Sequence, residues 1–283
     1  MPAILDALHL ELIHAARPRS YDTQGKMMPG VKNRIGVPKV DVRRAAAGVV
    51  RRGDGRALLR EVCAAPRALP QEVVMAAGLV VATEPGLEFT ERVARADGLI
   101  RLIDNWATCD LLGSVFPDMK ENEAAARAWI GRLLNADDDW SIRLGLVLLL
   151  CNFARRPAVR ASLAAALAPR VLTAARRSYY VSMGLAWMLA ECFVDGWEES
   201  EAASLRATVS GVMDAATARR TARKVRESLR FTKAQKDRLS QAMREALARA
   251  PRRADEAPAR AVAVRSRSGA PLQAHGSGRF GGK

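Results

Sequence analysis

The chain is punctuated at short intervals by helix-breaking residues. Pro66 and Pro70, Pro85-Gly86, Pro117, Pro157, Pro169 and Gly196 fall between blocks rich in Ala and Leu, and β-branched runs are short. Ala and Leu favour helix, while Pro and Gly end it, so this alternation predicts many helices of about 10 to 16 residues joined by short turns. Candidate helices cover 2–16, 40–52, 56–64, 70–82, 88–114, 121–135, 139–155, 158–166, 179–194, 198–213 and 216–249, and the longest are expected to break in two. Strand signals are almost absent. Helices of this length paired by tight turns predict an all-α fold, an α-solenoid of stacked hairpins; a globular helical bundle is the competing architecture. No repeat consensus recurs cleanly, so the repeats are expected to be degenerate.

Charge narrows the partner class. The 283 residues carry 45 Lys and Arg against 30 Asp and Glu, a net +15, with a pI near 10.6. Polyanions are the default partners of such a surface: DNA, RNA or an anionic membrane. The last segment, 251–283, holds seven basic residues and two acidic ones, net +5, which leaves +10 on residues 1–250. With few large apolar side chains, 251–283 is expected to be a basic, disordered tail following a helical domain over 1–250. Cys63, Cys109, Cys151 and Cys192 form no CxxC pair and lie far in sequence from His9, His14 and His275. Neither a metal site nor another cofactor is expected, and a reducing, cytoplasmic setting fits. The apolar run Leu144–Leu150 is too short to span a bilayer.

Five stretches stand out chemically. In Asp104-Asn105-Trp106-Ala107-Thr108-Cys109-Asp110, Trp106 and Asp110 are four apart and share one helical face, within an apolar segment (99–115) that reads as a buried helix. An indole beside a carboxylate can hold a cationic sugar or base, although packing plus an ion pair is the commoner use of such a pair. Arg143 opens the apolar run Ile142–Leu150 and needs an anionic partner: Asp110, the acidic run Asp137-Asp138-Asp139, or a phosphate. Tyr179, Tyr180 and Trp187 can line one aromatic face. Arg219, Arg223, Arg226 and Arg230 follow i, i+4, i+7, i+11, a basic stripe beside the apolar stripe Ala218, Ala222, Val225 and Leu229; Lys233 and Lys236 continue the charge. A single-sign stripe repels itself unless a polyanion lies on it. The stretch 25–38 is a Gly- and Lys-rich connection without the Gly-Lys-Ser/Thr of a Walker A loop.

In order, Ile35-Gly36-Val37-Pro38 with Val42-Arg43, Ile103-Asp104-Asn105-Trp106 with Cys109-Asp110, Ile142–Val147, Tyr179-Tyr180-Val181 with Ala186-Trp187, and Val225–Arg230 with Lys233 and Lys236 resemble the DNA alkylation repair family, HEAT-like-repeat glycosylases that excise alkylated purines. The resemblance covers about residues 20–245. It implies a curved HEAT-like solenoid with a concave basic groove around duplex DNA carrying alkylated bases, acting as a monomer. It further implies that Asp110 is the catalytic carboxylate, that Trp106 and Trp187 flank the lesion's deoxyribose, and that Arg143 contacts the DNA backbone. Tyr179, Arg219, Arg223, Arg226, Arg230, Lys233 and Lys236 complete the expected DNA-binding set. Active members read Trp-Asp-x-Val-Asp where this chain has Trp106-Ala107-Thr108-Cys109-Asp110. The chemistry implied is hydrolysis of the N-glycosidic bond of a cationic N3- or N7-alkylpurine. Two other readings are a non-catalytic nucleic-acid-binding module and a protein-interaction scaffold. Asp110 open beside both tryptophans favours the enzyme; Asp110 buried against Arg143 favours the binding module.

Overall fold

The computed structural model describes residues 3–28, 31, 33–65 and 68–251. These residues form fifteen helices and no strand. The helices are α1 (Ile4–His14), α2 (Pro18–Met27), α3 (Lys39–Arg51), α4 (Gly55–Ala64), α5 (Gln71–Thr83), α6 (Phe89–Ile100), α7 (Trp106–Val115) and α8 (Glu123–Leu134). They continue as α9 (Asp139–Asn152), α10 (Val159–Ala166), α11 (Pro169–Arg177), α12 (Tyr179–Asp195), α13 (Trp197–Val209), α14 (Ala215–Glu227) and α15 (Lys233–Arg249). The expected basic tail lies outside the described residues, apart from Pro251.

The helices stack in two rows, as in an α-solenoid. In one row α3, α5, α7, α9, α12 and α14 each pack on the next. In the other, α1 packs on α4 and α4 on α6, and further along α8, α10, α13 and α15 follow one another. Helices α5 and α9 have neighbours on both sides of their own row and a third helix behind, so they bury almost every face. Residues Gln71–Val81 and Ser141–Leu150 are all buried. This is why their sequences are apolar all round rather than striped.

Two expectations need correction, and a third is met. The segment 99–115 is not one buried helix: α6 ends at Ile100 and α7 begins at Trp106, because the Asn105 side chain accepts from the Thr108 amide (3.0 Å) and restarts the helix. Helices α2 and α11 form where none was expected; both open with Pro in the first turn, a position that needs no donor. As expected of the longest segments, 216–249 breaks in two, at Ser228–Thr232, where the Thr232–Gln235 capping box starts α15.

Within 25–38, residues 25–27 finish α2, and the described part of the remainder holds the turn before α3. Gly36 has φ +89°, and a Cβ there would lie 2.6 Å from Tyr21 Cβ, so only glycine fits. The amides of Ile35, Gly36 and Val37 donate to the fully buried Glu72 carboxylate at 2.9, 2.8 and 3.3 Å. The Ile35–Pro38 motif is therefore an anchored structural corner, joining α3 to α5.

Candidate DNA-facing site

Four consecutive helices of one row share a device at their N-termini. Asn105, Asp138, Ser178 and Asp214 each accept from a backbone amide three residues on, at 3.0, 2.8, 3.4 and 2.9 Å. These caps fix where α7, α9, α12 and α14 begin, and hence the register of the side chains in their first two turns. Those turns carry Trp106 and Asp110, Arg143, Tyr179 and Tyr180, and Arg219 and Arg220.

At the centre is a two-pronged ion pair. Arg143 Nε donates to Asp110 Oδ1 at 2.9 Å and Nη2 to Oδ2 at 2.8 Å, while Nη1 donates to the Tyr180 carbonyl at 2.6 Å. The Arg143 side chain is 6% exposed and that of Asp110 15%. Burial pulls the guanidinium toward neutrality, but the hydrogen bonds and charge of Asp110 outweigh it and hold its pKa above the ordinary value. Each carboxylate oxygen keeps a further lone pair beyond the one given to Arg143. Gly184 of α12 packs beside the Arg143 side chain, where even a Cβ would make ordinary contact, 3.5 Å from Arg143 Cγ. Next to the pair, burial and then the charge of Asp110 hold the Cys109 thiol far above its usual pKa.

Trp106 is half-buried in the first turn of α7, one turn before Asp110. Trp187 is also half-buried and packs against the core from the middle of α12. Tyr180 stacks on Trp140, with centroids 5.1 Å apart, and Tyr179 meets Tyr180 edge-on at 5.4 Å. The aromatic face that forms thus unites Trp140, Tyr180 and Tyr179, with Trp187 two turns further along.

The basic stripe is shorter than expected. Arg219, Arg223 and Arg226 are exposed on α14, but the helix ends at Glu227. Arg230 falls in the following turn and ion-pairs with Glu191 of α12. Leu229, assigned to an apolar stripe, is 96% exposed, because Ser228 has already left helical geometry and rotates it outward. Lys233 and Lys236 belong to α15 in the other row, and Lys233 lies 4.0 Å from Asp237.

Two residues passed unnoticed in the sequence. Glu191 lies one turn beyond Trp187 and, with Asp110, acts on the same sulfur: burial first, then these two carboxylates, push the Cys151 thiol up to about 11 although the residue as a whole is exposed. Arg220 donates to Ser182 Oγ (2.6 Å) and lies over the Tyr179 ring (5.0 Å). Arg219 and Arg220 are consecutive and about 100° apart on α14, so they point in different directions, and Arg220 is the half-buried one.

Among the described residues no helix is long and apolar enough to cross a membrane, and no three His, Cys, Asp or Glu side chains group as metal ligands. No curated protein and no solved structure matches the chain. Residues 8–194, well over half of the sequence and including Trp106, Asp110, Arg143, Tyr179 and Trp187, match the family model described as DNA alkylation repair enzyme, and the chain belongs to that family.

Proposed function

We propose that the protein binds duplex DNA carrying alkylated bases and hydrolyses the N-glycosidic bond of cationic N3- or N7-alkylpurines, as a cytoplasmic monomer without metal or cofactor. The carrying observation is the Asp110 carboxylate, fixed by Arg143 yet still partly open. In the reaction the C1′–N bond breaks and its electron pair neutralises the alkylated base. Water then bonds to C1′ and loses a proton. The sugar passes through an oxocarbenium-like state, which a carboxylate oriented in advance stabilises without reorganising. The base is already a good leaving group, so no general acid is needed. Trp106 and Trp187 are assigned to packing on the sugar.

Arg143 spends Nε, Nη1 and Nη2 inside the protein and is almost wholly covered. It therefore suits a positioning role for Asp110 better than a phosphate contact. Phosphates fall to Arg219, Arg223 and Arg226 along a concave basic groove, with Arg230, Lys233 and Lys236 at its margin.

The same pair favours a second reading, a non-catalytic DNA-binding module, because the guanidinium offsets part of the negative charge the reaction uses. Release of 3-methyladenine and 7-methylguanine from methylated duplex by the purified protein, measured beside its affinity for that duplex, decides between them. Base release supports the glycosylase. Tight binding without release leaves the binding module, and absence of both overturns the DNA assignment.

A further inference from the structure

A cleft of about 360 Å³ opens between α12 and α14, and none of Trp106, Asp110, Arg143 and Trp187 lines it. Its lining includes Tyr179 and Met183 from α12 and Arg219, Arg220, Arg223 and Lys224 from α14. The volume is at the lower end of the roughly 300–1,000 Å³ typical of ligand sites, the scale of one nucleotide rather than of a duplex. Four cations face one acid, Glu227, which sits two turns beyond Arg220. An anionic group is therefore drawn to the Arg219–Arg223 end.

The wall is aromatic and rigid. Tyr179 is 59% exposed, an unusual cost for a large aromatic ring on a soluble surface. It is held in place rather than loose: Tyr180, itself stacked on Trp140, meets its edge, and the Arg220 guanidinium lies over it at 5.0 Å. Arg220 is in turn fixed by Ser182, whose hydroxyl is 2.6 Å from Thr217 Oγ1, and Thr217 is bonded to the α14 cap Asp214 at 2.7 Å. A stacking surface with cations alongside is the arrangement that binds nucleotides outside a base-paired stack, the ring taking the base and the cations the phosphate.

We infer that this cleft receives a single unpaired nucleotide of a DNA strand, its base stacked on Tyr179 and its phosphate held by Arg219 and Arg223. The inference rests on the reading of the protein as DNA-binding. It adds a second contact beyond the glycosidic site, one that favours DNA already distorted or gapped in its pairing.

The test uses the full chain and two duplexes of the same sequence and ionic strength, one fully paired and one carrying a single bulged 2-aminopurine, whose fluorescence falls when it stacks. The expected result is about tenfold tighter binding of the bulged duplex, with quenching on binding. Tyr179→Phe should keep both, and Tyr179→Ala should lose the quenching and bind the two duplexes equally. Equal affinity of the wild type for the two duplexes overturns the inference, as does quenching that survives Tyr179→Ala. In either case retained affinity for paired DNA leaves the proposed function standing; loss of all DNA binding by the wild type overturns both.

Discussion

Replacing Asp110 by Asn tests whether the ion pair serves catalysis. At an effective dielectric of about 20, a carboxylate about 4 Å from the developing sugar cation attracts it by about 4 kcal/mol, and a guanidinium about 8 Å away offsets about 2 of that. The pair as built thus stabilises the transition state by about 2 kcal/mol. Asp110→Asn removes the attraction and leaves the repulsion, a change of about 4 kcal/mol or about 10³-fold in rate. It also leaves the Arg143 charge, 6% exposed, without its partner, which costs about 3–5 kcal/mol of stability and about 10 °C in Tm. The double variant Asp110→Asn/Arg143→Met separates the two effects. With neither charge present it should recover most of the stability, and its rate should fall only about 30-fold below wild type. Base release from methylated duplex, measured at a temperature where circular dichroism shows all three proteins folded, gives the answer. A single variant as active as wild type would falsify the catalytic role. A double variant that regains its Tm yet is no faster than the single refutes the electrostatic argument.

Affinity for duplex DNA should fall with salt at a logarithmic slope of about −4 to −5, corresponding to about five neutralised phosphates. Ala at Arg219, Arg223 and Arg226 should each flatten it by about 0.9, whereas Arg230→Ala, which breaks an ion pair with Glu191, should change it less; equal effects at all four positions would restore the uninterrupted stripe. Gly113→Ala places a Cβ 2.6 Å from Val147 Cγ1 where α7 meets α9, so it should cost about 1–3 kcal/mol in denaturant melts; an unchanged midpoint contradicts the close approach. Stability should decline in alkali. Burial, aided by neighbouring acids, raises the thiols of Cys109 and Cys192 above their ordinary 9.0, the latter to about 12. A raised folded pKa contributes stability that is whole below the unfolded value and lost as pH rises through the folded one. At pH 10 each thiol therefore lowers stability by about 1 kcal/mol relative to pH 8, and melts of the wild type and of Cys192→Ala at the two pH values should show it, with a smaller alkaline loss in the variant.

Local physics settled much of this protein in advance. Breakers between Ala- and Leu-rich blocks specify helices joined by tight turns whatever lies around them, and helices apolar all round, such as α5 and α9, can only be interior to a stack. Asp110 and Arg143 were both marked by chemistry that needs a partner, and a short menu of partners could be written from the sequence. Which partner each took was another matter. Asp110 and Arg143 are 33 residues apart, and only the packing of α7 on α9, at the close approach of Gly113, brings them together. The basic stripe failed for a related reason. Helical periodicity carries no information about where a helix stops, and a break at Ser228 turned Arg230 toward Glu191 and Leu229 into solvent. Glu191 and Arg220 have no motif of their own; they gain meaning from a thiol on α9 and a ring on α12 that lie dozens of residues away. A sequence determines the interactions that fall within one or two helical turns and the burial that each face demands. Contacts between helices depend on crossing geometry and stacking order, which are properties of the assembled rows, so the tertiary structure alone decided how the candidate site is wired.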